Sequence, residues 1–170
     1  MKDKNFILTY TLLLILQIVL AKYCQIGPYI YISILPAMIL CMPTGRDSWW
    51  VMTVAFLSGI LVDGLADGPL GLNAAALVPV AAFQKKIIMT FIDEDLVTRH
   101  YAFSFHQNGF GKLATSLCVS QFIYFAIYVF ADSAGTRSVG FNLLKILLSF
   151  LVSTVFGLLS INVLAPRPRR

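Results

Sequence analysis

Two aspartates, Asp63 and Asp67, stand four residues apart. On a continuous helix that spacing stacks side chains on one face, where paired carboxylates could do acid–base or metal chemistry. Gly64 lies between them and Gly68 follows, and glycines so placed read as a tight reversal between antiparallel helices. The pair is therefore expected to be split. His100 and His106 lack acidic or cysteine partners at ligand spacing, so no metal site is read from them. Cys24, Cys41 and Cys118 make an odd count without metal-like spacing, and each sits in or beside an apolar run as a small hydrophobe. Gly68-Pro69-Leu70-Gly71 lacks the lysine and hydroxyl that should follow in a phosphate loop. No catalytic residue, metal or cofactor is assigned, and the chain is not expected to be an enzyme.

The elements that position these residues are membrane elements. Of 170 residues, 58% are hydrophobic and only 12% are charged, against about 45–50% and 25% in soluble domains. The mean hydropathy is +0.80. A water-soluble globule of this size has no interior for so much apolar side chain. The net charge of +5 is scattered as single and paired residues except at the tail. Basic residues in a membrane chain collect in cytoplasmic segments, and no basic–aromatic stripe points to nucleic acid.

Six apolar runs are long enough to cross a bilayer, at about 6–22, 26–42, 49–63, 69–92, 113–131 and 143–164. They predict a single all-α integral membrane domain over 1–170, a six-transmembrane-helix bundle. The first run follows a basic N-terminus but precedes no small-x-small cleavage pattern, so it is read as a retained helix. With the N-terminus inside, ten basic residues fall in cytoplasmic segments and three (Lys22, Arg137 and Lys145) fall outside. That bias places both termini in the cytoplasm. Pro36 and Pro79 lie inside the second and fourth runs and should kink them. Ser149, Ser153, Gly157 and Ser160 recur on one face of the sixth run and read as a helix–helix seam. The polar stretch 84–112 includes the acidic cluster Asp93-Glu94-Asp95 and aromatic residues at headgroup level. Its apolar residues Ile87, Ile88, Met89, Phe91 and Ile92 would extend the fourth helix along the cytoplasmic interface. The tail Pro166-Arg167-Pro168-Arg169-Arg170 reads as an inside anchor for the last helix.

One segment has individual character, the seventeen residues from Gly59 to Ala75. Asp63 falls one helical turn after Gly59, at or just beyond the outer end of the third helix. A carboxylate there is costly against lipid and much less so against a partner group. Pro69 suits the first position of the fourth helix, Gly71 leaves room for a close neighbour, and Asn73 can cap or cross-link helices.

This segment closely resembles the signature of MreD, the rod shape-determining membrane protein family of bacteria. The family shows a glycine, an aspartate four residues on, and a leucine–glycine pair opening the next helix. Gly59, Asp63, Leu70 and Gly71 match it, and Pro69, Asn73 and Ala74 are also family-like. The aromatic loop near Tyr101 and the acidic cluster lie outside the pattern. The resemblance implies a non-catalytic scaffold in the cytoplasmic (inner) membrane, within the complex that elongates peptidoglycan. Its expected partners are MreC and, through it, the RodA glycosyltransferase, the elongation transpeptidase and MreB. The implied fold is that of the six-helix substrate-binding subunits of energy-coupling-factor transporters. Gly59, Asp63, Gly64, Pro69, Leu70, Gly71 and Asn73 would form the hairpin that presents a face to MreC.

That fold likeness carries an alternative of another class, a vitamin-type substrate-binding subunit of a membrane transporter. Tyr29, Tyr31, Trp49, Trp50, Asp63, Asp67 and Asn73 are the groups that could line its pocket. Interface anchoring accounts equally for Trp49 and Trp50, and an outer aromatic belt for Tyr29 and Tyr31.

Overall fold

The computed structural model describes residues 3–23, 29–43, 46–66, 69–91, 110–133 and 137–164. They form an all-α assembly of six helices: α1 (Asp3–Tyr23), α2 (Leu35–Leu40), α3 (Ser48–Leu65), α4 (Leu72–Phe91), α5 (Phe110–Ser133) and α6 (Val139–Leu164). Five of these, all except α2, are long and apolar enough to cross a membrane. The chain is thus a multi-pass membrane protein by helix length and composition. Asp93, Glu94, Asp95, His100, His106, Cys24, Asp67, Gly68 and the C-terminal basic tail lie outside the described residues.

The five long helices close into a ring in the order α1, α3, α4, α5, α6, with α6 returning to α1. Inside the ring runs the second apolar segment, and α2 touches α1, α4, α5 and α6. All six residues of α2 are buried. Leu35, Met38, Ile39 and Leu40 are among the largest fully enclosed side chains. The core of the molecule is therefore its second segment, and the other helices wrap it.

That segment corrects the expectation of a helix over 26–42. Among its described residues only Leu35–Leu40 is helical, and residues 31–34 lie outside any helix. The local sequence explains the break. Tyr29-Ile30-Tyr31-Ile32-Ser33-Ile34 alternates with a period of two and is rich in β-branched side chains, which suit strand-like backbone. Pro36 then falls in the first turn of α2, where its missing N–H costs nothing.

Other boundaries shift as well. α3 runs through Gly64 to Leu65, so Asp63 lies within the helix and Gly64 is no reversal point. α4 starts at Leu72, which leaves Pro69 three residues ahead of it, and continues unbroken past Pro79. Ile87 and Ile88 are 6% and 3% exposed and pack into the core, so the end of α4 belongs to the bundle and not to an interfacial helix.

Candidate functional site

The α3–α4 hairpin is built around a close backbone contact. A Cβ added at Gly59 would lie 2.5 Å from both the Cα and the backbone N of Ala74. No residue larger than glycine fits there without forcing the helices apart, so the two backbones meet in van der Waals contact.

One turn further along α3, Asp63 is 2% exposed. Its carboxylate accepts the backbone N–H groups of Gly71 at 2.9 Å and Asn73 at 3.0 Å, and the Asn73 side-chain amide at 2.6 Å. These N–H groups lack carbonyl partners inside their own helix, because they open α4. Asp63 thus caps α4 from the neighbouring helix, where the N-terminal dipole favours its negative charge. Gly71 serves this arrangement by conformation. Its φ is +91°, while a Cβ there would meet nothing within 4 Å. The expectation that Gly71 makes room for a neighbour is corrected: it supplies a left-handed turn that brings its N–H onto Asp63.

Asn73 carries the network onward. Its amide also donates to the Tyr31 hydroxyl at 3.1 Å, and its carbonyl oxygen accepts from Tyr124. Tyr31 stacks on Tyr128 with ring centroids 4.5 Å apart, and Tyr128 stacks on Tyr124 at 5.8 Å. Tyr31 therefore faces the bundle and not an outer aromatic belt. The hairpin, the central segment and α5 are locked together at this end by Asp63, Asn73, Tyr31 and Tyr124.

A second set of polar side chains holds the non-helical backbone of 31–34. Gln17 of α1 donates its amide to Ile32 O at 3.1 Å and accepts the N–H of Ile34 at 2.8 Å. These are the two bonds that one residue of a neighbouring parallel strand would make through its own N–H and C=O. Ser149 of α6 accepts from Tyr31 N at 2.9 Å and Ser153 accepts from Ser33 N at 2.9 Å. Gln121 of α5 donates to Ser33 O at 3.2 Å. Below them, Gln84 of α4 donates to Ile39 O at 2.9 Å and Met42 O at 3.1 Å, satisfying carbonyls at the end of α2. Irregular backbone survives at membrane depth only where protein groups replace water in this way.

The serine stripe of α6 accordingly splits. Ser149 and Ser153 bond the central segment, whereas a Cβ at Gly157 would come within 3.1 Å of Leu117, which marks the α5 seam. Gln17 and the role of Gln84 escape a reading by hydropathy. The available signal is a carboxamide inside an apolar run, since burying an unpaired one is expensive.

The remaining residues of the expected site lie apart. Pro69 and Leu70 are exposed at the hairpin tip, and Gly64 is exposed on α3. Trp49 and Trp50 begin α3 at the opposite end, where the Arg46 guanidinium lies 5.0 Å from the Trp50 ring centroid. Tyr29 packs against Phe141 at 5.0 Å, and Phe141 also carries Arg137 over its ring. Asp132 accepts Lys145 at 2.8 Å and Arg137 at 3.2 Å, tying the α5–α6 corner. Among the described residues no three His, Cys, Asp or Glu side chains gather as a metal site. Compared with known protein families, curated proteins and solved structures, the chain finds no match in any of the three.

Proposed function

We propose that this chain is an MreD-type scaffold: a non-catalytic protein of the bacterial cytoplasmic membrane that helps position peptidoglycan synthesis during elongation. The observation that carries the reading is that the residues of the resemblance act as one unit. Gly59 sets the helix approach, Asp63 caps α4, and Gly71 makes the turn between them. The motif thus has a physical purpose, a rigid and closely packed hairpin with an exposed tip at Pro69 and Leu70. Such a surface suits a packing partner, and MreC is the proposed one, with RodA, the elongation transpeptidase and MreB as further members.

Six crossings, with both termini cytoplasmic, belong to the same proposal, as does the likeness to energy-coupling-factor substrate subunits. Non-helical backbone advances roughly 3.3 Å per residue against 1.5 Å in a helix. The mixed segment 29–43 thereby gains the reach of a longer helix, and it leads from the hairpin end to the Trp49 end of the ring. The vitamin-uptake reading draws less support, because Tyr31, Asp63 and Asn73 direct their hydrogen bonds at one another.

The test is affinity purification of the tagged chain from its own bacterium's membranes in mild detergent, probed for MreC. Co-purification of MreC is expected. Its absence at normal levels of both proteins would count against the scaffold.

A further inference from the structure

The side chains that hold the backbone of 31–34 leave two of their own atoms over. Ser33 Oγ and Gln121 Oε1 find no hydrogen-bond partner among the described residues. Both residues are fully buried, at 0% exposed. They also touch: the Gln121 amide donates to Ser33 O at 3.2 Å and to Ser153 O at 3.4 Å. The spare hydroxyl and the spare oxygen therefore belong to one junction, between the central segment and α5. Tyr124 stands three residues further along α5, on the same face. Its phenol faces the Ser33 hydroxyl and gives its own proton to Asn73 Oδ1, so its oxygen remains an acceptor. A hydroxyl and a carboxamide oxygen would pair directly if they met, and Ser33 and Gln121 do not pair. Polar atoms left so in an apolar bundle are expensive.

We infer that this junction is a binding site for one ordered water molecule, which accepts the Ser33 hydroxyl proton and donates to Gln121 Oε1 and to the Tyr124 oxygen. The count of donors and acceptors selects the occupant. One spare O–H and two spare oxygens match the oxygen and the two protons of a water. Buried waters typically make about three such bonds. A hydrocarbon would satisfy none of the three groups, and the three bring no negative charge to balance a cation. The bridge has a structural consequence. Asp63, Asn73 and Tyr124 at the hairpin end, and Gln121, Ser33 and Ser153 at the centre, become one hydrogen-bonded network through the water. The inference stands independently of the scaffold reading.

The test is crystallography of the full chain grown in a lipid mesophase, at a resolution that shows ordered waters. A single peak about 2.5–3.0 Å from Ser33 Oγ, Gln121 Oε1 and the Tyr124 oxygen is expected. Ser33→Ala removes one of the three partners and keeps the backbone bonds of that residue. The occupancy of the peak should then fall by about twofold or more. Ser153→Ala takes a bond from the same segment but no partner from the water, and should leave the peak at full strength. Absence of the peak from the parent chain, with Ser33 turned onto Gln121 or Tyr124 directly or not, would overturn the site. So would a peak at full strength in Ser33→Ala. Equal loss in both variants would show that the water follows the packing of the segment and not these partners, and would overturn the assignment too.

Discussion

At Asp63 a carboxylate inside an apolar bundle accepts three N–H groups that open the next helix, two from backbone and one from Asn73. Leaving such buried donors unpaired costs about 1–3 kcal/mol each. Asp63→Ala is therefore expected to lower stability by about 2 kcal/mol or more in reversible unfolding from mixed micelles. Asp63→Asn, which keeps one acceptor oxygen, should lose less. An alanine variant as stable as the parent would contradict the capping role. The position of Asp63 one turn after Gly59 is plain in the sequence, and so is the cost of exposing it to lipid. The role of Gly71 is not, because a glycine that provides space and one that provides a positive φ look identical until the turn is known. Gly64 misleads for a similar reason. Its permissive backbone reads as a reversal, yet the apolar run of α3 carries the helix through it.

The second segment is the element whose form hydropathy hides. Apolar content alone marks 26–42 as membrane-embedded, and it is embedded, but apolar content does not separate helix from strand-like backbone. The alternation from Tyr29 to Ile34 is the signal that does. Its necessary companions, Gln17, Gln121, Ser149 and Ser153, sit far away in sequence and declare themselves only as polar groups in apolar runs. Because each holds a different backbone group, the element should loosen one amide at a time. Gln17→Leu is expected to speed hydrogen exchange at Ile34 while Ser33, bonded to Ser153, changes little. Ser153→Ala should do the reverse. Equal acceleration at both amides in either variant would show that the segment opens as a unit and not through these separate bonds.

For the whole molecule, a ring of five long helices around one broken segment follows from both packing and polarity. The ring has apolar outer faces, and the polar groups that would be costly against lipid turn inward onto the central backbone. Among the described residues five of the six apolar runs become long helices, so the all-α membrane character was legible from composition. The ring was not, because it depends on which run is short and broken. The six-crossing proposal makes a topological prediction. In a variant with the native cysteines replaced, a membrane-impermeant maleimide added to spheroplasts should label Ser138→Cys and spare both Lys2→Cys and Arg170→Cys. Labelling of one terminus but not the other would mean that segment 29–43 enters and leaves on one side.

If the hairpin belongs to a scaffold for wall elongation, as proposed, depletion of the chain in its own bacterium should show it in the width of cells imaged during growth in rich medium. Cells are expected to widen and round before growth stops, and wild-type protein should restore the rods. Cells that keep their shape through depletion, and fail only when a vitamin becomes limiting, would contradict the scaffold and move attention to uptake.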